Sequence, residues 1–243
     1  QIESDDIRND INSVNALYFP ERRPFFSEGS ELLKFQTERG FLNLFYSRTI
    51  NDPSIIGKYT GKIGKTSYGV ISARDDSSLL LLPFEESSTI VSMGKATNNI
   101  FRLKQMLKHG SSIGAFISNR DFDSGGDMTT SGIDFHYHPG FNIHVTIHGA
   151  VSVHNESNNL EYVPDDEDSQ TFDDGRHSKA FDGEEINGSA LGIGISQWSR
   201  TDSRSIVARF RSPGFRTSNG FEQNNNTKWI KVSRGKSLSL IHI

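Results

Sequence analysis

Apolar and polar residues alternate along most of this chain, and the period is two, the signature of strands. The clearest case flanks Pro139-Gly140. Before it, Ile133, Phe135 and Tyr137 alternate with Asp134, His136 and His138. After it, Phe141, Ile143, Val145, Ile147, Gly149, Val151 and Val153 alternate with Asn142, His144, Thr146, His148, Ala150, Ser152 and His154. The alternation persists for the ~9–11 residues of a membrane-crossing strand, against ~5–6 for an ordinary one. Both strands carry their polar residues at even numbers, and paired residues must share a face. A three-residue loop, Pro139-Gly140-Phe141, satisfies this and sets Tyr137 opposite Ile143, His136 opposite His144 and Asp134 opposite Thr146.

The same reading predicts hairpins from Lys58–Gly64 with Thr66–Arg74 and from Asn99–Lys108 with Ser111–Arg120. It also predicts strands at Phe41–Arg48, Ser189–Arg200, Arg204–Ser212 and Lys228–Arg234, about nine or ten in all. Short turns at Gly64, His109-Gly110, Pro139-Gly140 and Thr201-Asp202 alternate with longer connections at 75–98, 121–127, 155–187 and 213–227. Outer-membrane barrels sort their loops in this way. Asn155–Asn187 contains eleven acidic residues against Arg176 and Lys179, and reads as solvated and mobile. Residues 1–40 differ: they are charged and irregular, with Pro20 and Pro24 expected to break any helix and a short helix expected around Ser30–Gln36, capped by Ser27 or Ser30. The fold class expected is therefore all-β, an antiparallel up-and-down β-barrel, partial and of outer-membrane type. An irregular, plug-like segment (1–40) precedes the strands (41–243).

Composition changes this picture in few places. The 243 residues carry a net charge of -4 and no Cys. That excludes a disulfide scaffold, Cys-based zinc and a Cys nucleophile, and argues against a general nucleic-acid binder. The longest apolar stretch is Leu79–Phe84, far short of the ~20 residues of a membrane helix. A mean hydropathy of -0.51 suits a soluble domain, but a membrane barrel needs no long apolar run. The chain begins at Gln1 without Met and stops at Ile243 inside an apolar alternation, so it reads as part of a longer protein.

Candidate chemistry is sparse. Gly61-Lys62-Ile63-Gly64-Lys65-Thr66 ends like a phosphate loop, but Tyr59 stands where its first Gly belongs. Five of the eight His fall between 136 and 154. Asp134, His136, His144 and His148 share one face, and imidazoles with a carboxylate suit a ligand or a transition metal. The competing reading, a polar water-facing wall, is preferred, so no metal or cofactor is expected. Asp165-Asp166-Glu167-Asp168 and Asp173-Asp174-Gly175 lack calcium-loop spacing. No Gly-x-Ser-x-Gly elbow is present, and no catalytic set stands out. Glu21-Arg22-Arg23 lies between aromatic clusters and could pack inside a polar lumen against inward carboxylates.

Leu17-Tyr18-Phe19-Pro20-Glu21-Arg22-Arg23-Pro24-Phe25-Phe26-Ser27-Glu28-Gly29 resembles the signature segment of a bacterial family of unknown function. Phe45-Tyr46-Ser47-Arg48, Thr60–Gly64, Ser112–Ala115, Asn119-Arg120, Gly125-Gly126-Asp127, Ser212–Arg216 and Gly220-Phe221 resemble further blocks of it. Tyr18, Arg22, Ser27 and Gly214 depart from its pattern. The resemblance implies a Gram-negative outer-membrane β-barrel domain that follows a family-nine-like carbohydrate-binding module. It places Phe19, Pro20, Glu21, Arg22, Arg23, Phe25 and Phe26 in a plug or lumen motif. The expected partners are outer-membrane lipid and, through the upstream module, carbohydrate; the expected role is anchoring, display or uptake. The alternative is a soluble all-β domain that binds carbohydrate or accompanies a glycoside hydrolase.

Overall fold

The computed structural model describes residues 16–37, 40–140, 142–162 and 170–236. Eleven strands follow in chain order: β1 (Pro53–Ile63), β2 (Thr66–Pro83), β3 (Ser88–Met106), β4 (Ser112–Phe122), β5 (Asp127–Gly140), β6 (Ile143–Asn155), β7 (Thr171–Phe172), β8 (His177–Ser178), β9 (Glu185–Trp198), β10 (Asp202–Arg211) and β11 (Thr227–Lys236). Nine of them form one antiparallel sheet in the order β1-β2-β3-β4-β5-β6-β9-β10-β11, while β7 and β8 form a small separate hairpin. Every neighbour in the large sheet is also the next sheet strand in sequence, so the topology is a meander. The all-β, antiparallel class holds. Among the described residues β1 and β11 pair only with β2 and β10, and the sheet is open.

Alternation divides the sheet into two unlike faces. On β4, Ser112, Phe116, Ser118, Arg120 and Phe122 are buried, while Ile113 and Ile117 are exposed. On β5 and β6, Asp134, His148, Ala150, Ser152 and His154 are buried, while Ile133, Tyr137, Ile147, Val151 and Val153 are exposed. The same division places Ile100 and Arg102 opposite Phe101 and Leu103 on β3, and Ala190 opposite Leu191 and Ile193 on β9. At these positions the bare face is apolar, with Arg74, Asp121, Arg204 and Arg234 elsewhere on it, while the covered face holds the buried charges.

Two segments form the cover, the described residues of 16–52 and 212–226. Leu33, Phe35, Phe41, Leu42, Leu44, Ile50 and Phe215 pack with Ile71, Ala73, Ile100, Phe116, Ala150 and Ala190 of the sheet. A second cluster, Leu80, Leu82, Phe84, Val91, Met93, Phe122, Met128 and Phe181, joins the far ends of β2 and β3 to the β6–β9 connection.

Several expectations change. Phe41–Arg48 is not a sheet strand; it belongs to the cover, joined to the other covering segment through Tyr46 N–H to Asn219 O at 2.7 Å and Phe221 N–H to Asn43 O at 2.8 Å. Residues 75–98 are no long loop: β2 and β3 run through them for 18 and 19 residues and turn at 84–87. The connection after β4 shrinks to 123–126. Only the connections 156–184 and 212–226 stay long, so the loop sorting holds at two connections. The acidic connection is exposed or half-buried over most of its described residues but anchored where Ala180 and Phe181 are buried; Asp165-Asp166-Glu167-Asp168 lies outside the described residues.

The β5–β6 pairing keeps the expected sidedness but shifts by two: Tyr137 faces Val145, His136 faces Thr146 and Asp134 faces His148. A register irregularity between Tyr137 and Gly140 explains the shift. An extra residue in one strand lets a tight turn close at Gly140–Ile143 without mixing the faces. Pro24 does not break a helix but opens one, Pro24–Ser27, where its missing N–H has no helical role. The helix expected at Ser30–Gln36 is a single 3-10 turn, Ser30–Leu32.

Candidate functional site: the covered face and its cover

The segment Phe19–Phe26, expected as a plug, holds itself together. Glu21 accepts hydrogen bonds from the Arg23 guanidinium at 3.0 and 2.9 Å and from the Ser47 hydroxyl. Arg23 is buried and also donates to Ile50 O and Ser47 O, both at 2.8 Å, with its guanidinium 4.2 Å over the Phe26 ring. The expected Arg pair therefore splits: Arg23 pairs with Glu21 of its own segment rather than with a carboxylate of the sheet, and Arg22 is exposed. Burial raises the Glu21 carboxyl, but the Arg23 and Ser47 bonds outweigh it and hold the group down at about 2. Phe19 and Pro20 are fixed through their backbones. The Tyr46 hydroxyl bonds Phe19 N–H and O at 3.1 and 3.0 Å, and Arg48 donates to Pro20 O at 3.0 Å. Phe25 packs partly buried at the edge of the core, 4.9 Å beneath the Lys58 ammonium.

Beneath the cover, the sheet contributes buried ions. Arg102 meets Asp134 at 2.6 Å with both side chains at 0% exposure. They stand two strands apart and meet across Gly114, where a Cβ would lie 2.4 Å from Arg102 Nη1. The contact is one of opposite charges without an aligned N–H···O bond. Arg120 donates to Asn98 Oδ1 at 2.7 Å, Leu79 O at 2.7 Å and Asn219 Oδ1 at 2.6 Å, tying β4 to both β2 and the cover. Arg216 pairs with Glu156 at 2.8 Å and Arg211 with Glu222 at 2.6 Å. Removing one member of such a buried pair strands a charge at a cost of ~3–5 kcal/mol. Burial pushes Glu222 up to about 7 against the pull of Arg211 and the Asn43 N–H, and Glu156 up to about 7 against Arg216.

The four candidate ligands divide into two groups. Asp134 and His148 lie deep, opposite each other on β5 and β6, with Asp134 committed to Arg102 and the His148 ring 5.6 Å from Phe41. His136 and His144 lie nearer the short-turn edge; His136 Nδ1 is 3.4 Å from Thr146 Oγ1, and His144 Nδ1 is 2.9 Å from His138 Nε2. Among the described residues no three His, Asp or Glu come together as a metal-holding group. Gly64-Lys65 is the β1–β2 turn, and a strand follows it where a phosphate loop needs a helix. Asp173-Asp174-Gly175 is a turn whose Asp173 carboxylate binds Arg176 at 2.6 Å.

Space remains beside the plug. A cavity of about 660 Å³ is bounded by Glu21, Phe26, Phe35, Asn43, Tyr46 and His136. A second, of about 250 Å³, lies at the short-turn edge among Thr37, His136, His138, His144 and Trp198. Sequence reasoning missed Arg102, Arg120, Arg211, Arg216, Glu156 and Glu222. A signal existed for the first two, which stand at covered-face positions of strands whose opposite face is apolar. Compared with protein-family models, with curated proteins and with solved structures, the chain matches none of them.

Proposed function

We propose that this chain is part of an outer-membrane β-barrel of a Gram-negative bacterium, its lumen filled by residues 16–52 and 212–226. One observation carries the reading: the face left bare is apolar while the covered face holds Arg102, Arg120, Asp134, His148 and His154. A water-soluble sheet distributes its residues the other way round, whereas a bilayer supplies an apolar solvent for the bare face. Strands of 10–19 residues match or exceed the ~9–11 needed to span the hydrocarbon. The role that fits is passive: anchoring, display or uptake beside a carbohydrate-capturing module, with lipid as the partner of the bare face. The test is expression behind an outer-membrane signal peptide, followed by fractionation and gel analysis with and without heating. Recovery in the outer membrane with heat-dependent mobility is expected. Recovery as a detergent-free soluble monomer overturns the reading.

A second reading, a soluble carbohydrate-binding sheet, is favoured by Trp198 and Trp229, each about half exposed. Glycan binding by the soluble chain, lost in Trp198→Ala or Trp229→Ala, would mark that outcome.

A further inference from the structure

The covered face at its short-turn edge contains a pair of imidazoles that the plug leaves uncovered. His138 and His144 sit on β5 and β6, either side of the Gly140–Ile143 turn, and only His138 Nε2 and His144 Nδ1 face each other, at 2.9 Å. Both line the cavity of about 250 Å³, with His136 and Thr37 on its inner side and Trp198 on the β9 side. The His144 and Trp198 rings are 4.9 Å apart between centroids.

We propose that His138 and His144 together bind one divalent transition-metal cation, Cu²⁺ before Ni²⁺ and Zn²⁺. Two imidazole nitrogens at ~2.0–2.1 Å from a metal stand ~2.8–3.0 Å apart when they subtend a right angle, and ~3.3–3.4 Å apart at a tetrahedral angle. The observed 2.9 Å matches neighbouring positions of a square-planar or octahedral ion. Softness and affinity order point to the same ion, since imidazole suits Cu²⁺ and divalent affinities peak there. Without metal one ring donates its N–H to the other. On binding, the donor ring carries its proton on its other nitrogen, both facing nitrogens offer lone pairs, and no net proton is released. The cavity leaves room for water to complete the coordination. The site needs only the β5–β6 hairpin and does not depend on where the chain resides.

The experiment is a CuCl₂ titration of the untagged chain, kept in whichever solvent holds it folded, in a Trp229→Phe background so that Trp198 alone reports. Saturable quenching at one Cu²⁺ per chain is expected, with Ni²⁺ and Zn²⁺ competing more weakly. His138→Ala and His144→Ala should each weaken binding by ~10-fold or more, at least the loss that even an outer-shell partner produces. His109→Ala, in a different turn, should leave it unchanged. Electron paramagnetic resonance of the unsubstituted chain with one equivalent of Cu²⁺ should show imidazole nitrogen coordination, a readout that survives if a variant fails to fold. Unchanged affinity in both His variants, an equal loss in His109→Ala, or a spectrum without nitrogen ligands overturns the proposal.

Discussion

At Glu21 five donors from Arg22, Arg23 and Ser47 converge on a partly buried carboxylate, and at Glu222 one guanidinium and one N–H meet a fully buried one. The two groups therefore respond to pH in opposite directions. Glu21 falls from an ordinary 4.5 to about 2, so its stabilisation is complete above pH 4.5 and is lost as pH drops through 2. Glu222 rises from 4.5 to about 7, so its contribution is complete below pH 4.5 and is lost as pH climbs through 7. Melting temperature followed from pH 2 to 8 checks both. Glu21→Gln should flatten the acid limb alone, and Glu222→Gln the limb between 4.5 and 7 alone. Little of this was legible beforehand. Glu21 and Arg23 are two residues apart and visibly a pair, but Glu222 meets residues 43 and 211, and no local pattern reports a partner across the chain.

Elements were legible where a strand has one covered and one bare face, as β4, β5, β6, β9 and β10 do. They were lost where that contrast fails. Arg74-Asp75-Asp76 and Ser77-Ser78 look like loop, yet Asp75 is buried because its carboxylate accepts the N–H groups of Asn51 and Asp52 at 3.0 and 2.8 Å. Phe41–Arg48 alternates like a strand because it is extended between the sheet and the 212–226 segment. That second covering segment has its own steric condition. At Gly188 on β9, a Cβ would lie 2.2 Å from Phe215 Cα, a clash with backbone that no rotamer relieves. Gly188→Ala should cost ~1–3 kcal/mol by overpacking, read as a lower unfolding midpoint in denaturant. Protease cleavage within 212–226 should increase alongside. A midpoint unchanged from the parent would show that the segment does not seat against β9.

Over the whole molecule the bare face decides the solvent. Ile117 stands at the middle of β4, exposed, with the buried Phe116 and Ser118 on either side of it. In a bilayer an Arg at the midplane costs ~2–4 kcal/mol. On a face turned to water such a surface change stays within ~0.5 kcal/mol. Ile117→Arg compared with the parent by unfolding titration in lipid vesicles separates the two, and a negligible difference would count against a lipid-facing surface. The mean hydropathy of -0.51 carries no trace of the bare face because averaging over both faces removes the contrast between them.

The two covering segments also set an order of events. Gln223 bonds Ala16 O across 207 positions, Glu222 bonds Asn43 across 179, and Arg211 bonds Phe41 O across 170. Loop closure over such spans comes late, since long-range contacts return nothing until the chain between them is in place. Phe41, Leu42 and Leu44 therefore lack their final neighbours until residues 212–226 fold back over them. Seating of 212–226 is then expected among the late steps of folding, and amides of this segment should gain protection after those of β4 when refolding is followed by hydrogen exchange.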